Sequence, residues 1–123
     1  YIVIKNMESI ELYKHIINNG GITYNVRSQS MVTAGYAVSA RKDLEQVIPL
    51  ESFTVETLEA YIVRNNEVLA VDNNMLGAWM SDGMVYLDVT TVVDDEAEAV
   101  RIAKNANQLA IFNLETFEEI ATA

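Results

Sequence analysis

The segment from Leu76 to Val93, LGAWMSDGMVYLDVTTVV, constrains the fold more than any other part of the chain. Two runs rich in apolar and β-branched residues flank the dipeptide Asp82-Gly83, which is a strong signal for a tight turn between antiparallel strands. The sequence therefore predicts a β-hairpin here. Its register decides which way Trp79 points, because successive side chains of a strand point to opposite faces of the sheet.

Two turns are compatible with this hairpin. A two-residue Asp82-Gly83 loop in a type I′ turn pairs Trp79 with Tyr86 and places both on the wetter face, which would then resemble a binding patch. A three-residue loop with Gly83 in a left-handed bulge instead places Trp79 with the β-branched row of the second strand. In that register Met84 and Tyr86 lie on the half-exposed face. We favour the three-residue loop, because it gathers the largest side chain into the core.

Capping residues and hydrophobic spacing predict three helices. The first begins at an Asn6 cap and ends at Gly20-Gly21, the second begins after Thr54 and runs to about Asn65-Asn66, and the third begins at Asp95. Phe53 and Leu58 have the spacing of a hydrophobic staple around the second cap. Asp95 and Glu98 have the spacing of a capping box.

Further strands are predicted between the helices. We expect strands in ITYNVRS and AGYAVSA, joined as a hairpin, in QLAIFNL and in FEEIA, and a short strand or extended lead in EVLAVDNN. The segment RKDLEQVIPLES is predicted to be a connection with a short helical turn. This order predicts a single α+β domain over residues 1–123. We expect a mainly antiparallel sheet of about five to six strands, with about three helices on one face. Helices covering both faces are the alternative.

The net charge of −10 is the most informative feature of the composition. Sixteen of the eighteen acidic side chains follow residue 40, together with only five basic ones. Such a surface repels phosphate backbones, so we expect no direct nucleic-acid binding, but it attracts a basic protein surface. Acidity of this kind also serves solubility alone. Neither an apolar run long enough to cross a membrane nor a signal-peptide pattern is present, which predicts a cytoplasmic protein without membrane contact.

The residue types that carry most enzyme chemistry are scarce. The chain has no cysteine and a single histidine, His15, which argues against thiol catalysis and the usual zinc pairs. Phosphate-binding glycine loops and a nucleophile-elbow motif are missing too. The run of carboxylates between Asp88 and Glu98 is interpreted as helix capping and a solvated acidic face. We therefore predict no catalytic, metal-binding or cofactor-binding residues, and no enzyme activity. A metal-dependent enzyme or a hydrolase that uses carboxylates alone is the remaining alternative.

Four segments share a pattern with known sequences: GGITYN, AGYAVS, LGAWMSDGMVYLDV and NQLAIFNLETFEEI. Together they resemble a family of small phage and actinobacterial accessory proteins without an assigned activity. The chain departs from the family pattern at its last turn, where Phe117 stands in a glycine-containing region. The resemblance implies a phage or mobile-element protein that acts in the cytoplasm of a bacterial host. By analogy of context, it suggests a counter-defence inhibitor of the anti-CRISPR kind.

The function we favour from the sequence is a binding module for a host protein with a basic surface. Acidic side chains and two apolar anchors are the predicted partner-binding residues: Asp82, Met84, Tyr86, Asp88, Asp94, Asp95, Glu96 and Glu98. By docking there, the protein would deny a basic groove to nucleic acid. The alternative is a structural phage protein that forms homo-oligomers, in which the strand edges of ITYNVRS or FEEIA pair between copies.

Overall fold

The computed structural model describes residues 6–122, which form four α-helices and eight β-strands. The helices are α1 (Asn6–Asn19), α2 (Val55–Arg64), α3 (Asn66–Leu69) and α4 (Glu96–Asn105). The strands are β1 (Gly21–Asn25), β2 (Ser30–Met31), β3 (Tyr36–Val38), β4 (Gln46–Pro49), β5 (Asn74–Ser81), β6 (Met84–Val93), β7 (Ala110–Asn113) and β8 (Glu118–Ala121). The predicted α+β class is confirmed. The number of strands exceeds the predicted five to six, because the short strands β2 and β4 were not predicted.

All eight strands belong to one antiparallel sheet, ordered β2-β1-β5-β6-β3-β7-β8, with β4 paired to β6. The long strand β6 changes its neighbour midway: residues 84–87 pair with β4, and residues 91–93 pair with β3. The predicted hairpin between ITYNVRS and AGYAVSA is wrong, because β1 pairs with β2 and β5 whereas β3 pairs with β6 and β7. The predicted connection around residues 46–49 is likewise a strand, β4.

Local capping signals set most helix boundaries. The Thr54 side chain accepts the backbone N–H of Thr57 at 3.2 Å, and the Asp95 side chain accepts that of Glu98 at 3.3 Å, so both predicted caps are confirmed. At the end of α1, Gly20 has φ +84°, a left-handed conformation that glycine adopts without steric cost.

Two local predictions are wrong. Asn6 already lies within α1 and is not its cap, and the residues before it lie outside the described part. The segment EVLAVDNN begins with the short helix α3 and not with a strand. The side chain of Leu69 in this helix is fully buried in the core, so helical packing outweighs the β-branched composition of the segment.

The β5–β6 hairpin adopts the two-residue turn, so the three-residue loop that we favoured is wrong. Ser81 pairs with Met84, and the two loop residues Asp82 and Gly83 have φ values of +53° and +76°. Both residues are therefore left-handed, as a type I′ turn requires, and this turn matches the twist of the flanking strands. The core does not need Trp79, because helical side chains supply its bulk.

The four helices pack on one face of the sheet. One core cluster joins α1, α2 and α3 to alternate residues of β5 and β6, including Leu76, Val85 and Leu87. A second cluster joins α4 to β3, β6 and β7 through Val38 and Ala103, among others. The alternative in which helices cover both faces is therefore wrong for residues 6–122. None of the helices described there is both long and apolar enough to cross a membrane.

Arg27 holds the connection that leads from α3 into β5. Its Nη1 atom donates to the carbonyl oxygens of Leu69, Val71 and Asn74 at 2.7, 3.0 and 2.6 Å. These carbonyls follow a helix end, where backbone acceptors lack intrahelical partners. One guanidinium thus replaces the hydrogen bonds that regular structure would supply.

We expect Arg27→Met to lower the free energy of unfolding by about 2–4 kcal/mol, because it leaves several partly buried carbonyls without a charged donor. Urea unfolding of both proteins measures the difference. Arg101→Met is the matched control: Arg101 is exposed, and its contact with Glu98 is 3.9 Å long. We expect less than about 0.5 kcal/mol from the control. Equal losses in the two variants would contradict the role assigned to Arg27.

Candidate functional site

The face of the sheet opposite the helices, which we call the open face, carries a concave groove of about 1060 Å³. Its floor is built from small side chains, one or two on each of four neighbouring strands: Thr23, Gly77, Thr90, Ala37 and Ser39. Larger side chains stand at the two sides, with Trp79 towards β1 and Phe112 and Phe117 on the β7–β8 hairpin. From β1 to β7 the groove spans roughly 19 Å, since neighbouring strands lie about 4.8 Å apart.

Trp79 lies on this open face and not in the core. The register pairs it directly with Tyr86, and the two rings stack with centroids 5.1 Å apart and planes inclined by 4°. Both side chains are half-buried. Trp79 lines one side of the groove, and its stacking on Tyr86 makes it a rigid aromatic surface there, as aromatic anchors of binding sites commonly are.

Asp88 is the most unusual residue of the groove. Its side chain lines the floor but is only 3% exposed, and Oδ2 accepts a long hydrogen bond of 3.4 Å from the Ser39 hydroxyl. The other oxygen, Oδ1, is buried without a hydrogen-bond partner within residues 6–122. It lies against Gly77, where a Cβ atom would approach it to 2.1 Å. Only glycine at position 77 therefore allows the carboxylate to lie where it does.

The environment of Asp88 disfavours its charged form. Burial is the main cause that raises the pKa of this carboxyl to about 6, and the negative charge of Glu45 adds to it. The hydrogen bond from Ser39 and the charge of Lys42 act in the opposite direction. Lys42, however, is bound to Glu45 at 3.1 Å. Within the described part of the chain, no cation is in ion-pair contact with Asp88.

The charged side chains of the groove lining are acidic. Within residues 6–122 the lining contains the carboxylates of Asp88, Glu115 and Glu119, and His15 is its only other ionisable group. No lysine or arginine is among the described residues that line it. A ligand that enters the groove therefore meets negative charge on the floor and at one wall, and aromatic surface beside it.

The eight predicted partner-binding residues do not form one site. Met84, Tyr86 and Asp88 lie on the open face, since alternate residues of β6 share a face. Asp82 stands exposed in the turn at the tip of the hairpin. The remaining four lie exposed just before and in the first turn of α4: Asp94, Asp95, Glu96 and Glu98.

Two of the four acidic residues at α4 already have local contacts. Asp95 caps the helix, and Glu98 contacts Arg101 at 3.9 Å. The pKa of the Tyr36 phenol is raised, mainly by partial burial and next by the negative charge of Glu96. None of these α4 carboxylates lines the groove.

Sequence reasoning missed Trp79, Ser39, Gly77 and Phe112. The first was assigned to the core through the wrong turn. The Asp82-Gly83 dipeptide was the signal that could have placed it, because Asp-Gly is the preferred type I′ pair and this turn sets the register. The other three come from strands that are distant in sequence, and no local pattern marks them.

Within residues 6–122, no group of three or more histidine, cysteine, aspartate or glutamate side chains is placed to hold a metal ion. The groove thus offers a buried carboxylate, a hydroxyl, an aromatic pair and two further carboxylates. Comparison with protein-family models, with curated proteins and with solved structures found no match. The resemblance to phage accessory proteins accordingly stays a prediction.

Proposed function

We propose that this protein is a non-catalytic binding protein that docks the open face of its sheet on a basic surface of another protein. The observation that carries the proposal is the groove itself, whose lining, as far as residues 6–122 form it, contains carboxylates and aromatic rings and no lysine or arginine. The net charge of −10 gives a long-range attraction to the same kind of partner.

In the setting that the sequence resemblance implies, the partner is a bacterial host protein, and the basic surface is one that binds nucleic acid. Occupying that surface would make the protein a counter-defence inhibitor of the anti-CRISPR kind. The open face is a better docking surface than the α4 carboxylates, because the groove combines buried charge with apolar area, whereas those carboxylates are exposed and Asp95 already caps the helix.

A capture experiment with two variants tests the proposal. The tagged protein is incubated with nuclease-treated bacterial lysate at low salt, and bound proteins are eluted with high salt and identified. Trp79→Ala/Tyr86→Ala removes the aromatic pair, while Asp94→Asn/Glu98→Gln removes charge at α4 and leaves the Asp95 cap in place. We expect a basic protein that the wild type and the α4 variant retain and the aromatic variant loses.

The captured protein is then purified and tested for binding to its own nucleic acid by fluorescence anisotropy. We expect the wild-type protein to compete with that nucleic acid and the aromatic variant to compete at least about tenfold less well, since aromatic anchors of an interface carry about 1.4 kcal/mol or more each. Capture that is equal in the wild type and the aromatic variant would overturn the open-face proposal.

Self-association is a second candidate function. The strand β8 lies at an edge of the sheet, and the large apolar side chains of Leu109 and Phe117 nearby are 73% and 77% exposed. Edges of this kind can pair between copies. The ITYNVRS edge predicted from the sequence is less suitable, because β1 lies between β2 and β5. Light scattering that finds a concentration-independent oligomer, abolished by Phe117→Ser, would favour this function over a host partner.

A further inference from the structure

We infer that the Asp88 carboxylate is the receptor for a guanidinium group, supplied by an arginine side chain of the basic partner that enters the groove beside Trp79. This inference rests on the proposed function and names the chemistry that the groove recognises. It is carried by the hydrogen bonding of Asp88, by the aromatic pair at the next register position and by the charges of the groove lining.

The carboxylate has unused acceptor capacity. A carboxylate group can accept about four hydrogen bonds, yet Oδ2 of Asp88 accepts one at 3.4 Å and Oδ1 accepts none within residues 6–122. Buried charge without partners is unfavourable, and a donor that supplies both charge and hydrogen bonds removes this cost. The side chain caps no helix, so no helix N–H competes with a ligand for its acceptors.

The carboxylate of Asp88 lies next to an aromatic pair. Its cross-strand neighbour is Gly77, whose missing side chain leaves the room that Asp88 Oδ1 occupies, and the next pair along the hairpin is Trp79 with Tyr86. Diagonal neighbours on such a face lie about 7–8 Å apart, within reach of large side chains. A planar group that pairs with the carboxylate is therefore within reach of the aromatic pair. The terminal torsion of aspartate is soft, so the carboxylate can turn to present both oxygens.

Guanidinium fits these features better than ammonium. It donates two parallel N–H groups to a carboxylate, stacks on aromatic rings and is more weakly hydrated, so it loses less on entering a partly buried site. The remaining carboxylates of the lining, Glu115 and Glu119, favour a cation over a neutral donor. An arginine in a partner's basic surface combines all of these properties.

The intrinsic fluorescence of the protein reads this site directly, because Trp79 is the only tryptophan of the chain. The probe is the blocked peptide Ac-Gly-Arg-Gly-NH2, titrated at pH 7.5 and low salt. Peptides with lysine or citrulline in place of arginine have a different cation or no charge. We expect the arginine peptide to bind at least about tenfold more tightly than either, as hydrogen bonds between charged groups commonly provide.

Asp88→Asn is the decisive variant, since it keeps the shape of the side chain and removes its charge. We expect it to weaken binding of the arginine peptide by about tenfold or more. Asp72→Asn removes one carboxylate from an exposed turn outside the groove and should change binding by less than about twofold. Wild-type binding should also weaken as the pH falls below about 6, when protonation of Asp88 removes the acceptor charge.

Three results would overturn the inference. They are equal binding of the arginine and citrulline peptides, unchanged binding by Asp88→Asn, and tighter binding of free methylguanidinium than of the peptide. The last would mean a site for a small guanidino compound and not for a protein side chain. The lysate experiment separates failure of this inference from failure of the proposed function. If the Asp88→Asn variant still captures the partner and the aromatic variant does not, the docking surface stands and only the guanidinium site is refuted.

Discussion

Replacing Asp88 with asparagine is expected to raise the free energy of unfolding at pH 7.5 by up to about 3 kcal/mol. Most substitutions of buried residues destabilise a protein, but here the native carboxylate is buried with one oxygen unpartnered. Its folded-state pKa of about 6 lies above the value of 3.8 expected without these surroundings. A difference of about two pKa units corresponds to about 3 kcal/mol. Asparagine keeps the shape and removes the charge.

The stability gain should depend on pH in a defined direction. Between pH 3.8 and about 6 the folded protein holds the Asp88 proton more tightly than the unfolded chain does. The free energy of unfolding of the wild type therefore falls as the pH rises through this range. Near pH 4 both proteins carry a neutral side chain, and their stabilities should be similar. The difference should open between pH 4 and pH 6.5 and stay constant above it.

Urea unfolding from pH 4 to pH 8, followed by Trp79 fluorescence, measures this profile. Glu45 and Lys42 are the charged residues that influence the pKa of Asp88, and both are present in the variant as in the wild type. Asp72→Asn serves again as the control that removes an exposed carboxylate. A stability difference between the wild type and Asp88→Asn that is independent of pH would refute the account, as would a loss of stability at pH 7.5.

Gly21→Ala is expected to lower the free energy of unfolding by about 3 kcal/mol or more. A Cβ atom at position 21 would lie 2.8 Å from the backbone oxygen of Ala78 and 3.4 Å from the Cα atom of Trp79. Backbone atoms cannot move aside as a side-chain end can, so β1 and β5 must separate at this point. Because Gly21 pairs with Trp79, the aromatic side of the groove would be displaced as well.

The adjacent glycine provides a matched control for this prediction. At Gly20 no atom lies within 4 Å of a Cβ, but the residue has φ +84°. Gly20→Ala should therefore lose only about 1–2 kcal/mol, from the left-handed conformation alone. Thermal and urea unfolding of both variants compare the two values. A loss at position 20 that equals or exceeds the loss at position 21 would show that the close approach of β1 and β5 is not limiting.

The first prediction and the guanidinium site are linked. If Asp88→Asn is more stable and also loses the arginine peptide, then the same buried charge that weakens the fold provides the binding energy. Binding sites commonly keep groups that are unfavourable for stability, because the ligand supplies the missing partners. The two measurements use one variant and one fluorophore, so they can be made on the same samples.

Much of the local structure could be predicted from neighbouring residues. The caps at Thr54 and Asp95 act over three residues, and the turn at Asp82-Gly83 joins strands that are adjacent in the chain. The α+β class follows from the order of these local elements. The sequence also pointed to Met84 and Tyr86 as apolar anchors and to Asp88 for its charge, but charge applied equally to the carboxylates of α4, so it could not separate the groove from a helix cap.

By itself, then, the sequence determined where α2 and α4 begin, where the central hairpin turns and how acidic the chain is, because these depend on contacts between near neighbours or on composition. Only the tertiary structure decided that β6 takes a second neighbour midway, that Trp79 faces away from the helices and that Asp88 is buried. Asp88 and Ser39 are 49 residues apart in the chain, and they meet on the floor of the groove only after β3 has paired with β6. Burial and charge at such a site depend on long-range strand pairing, which residue types near it in the chain do not specify.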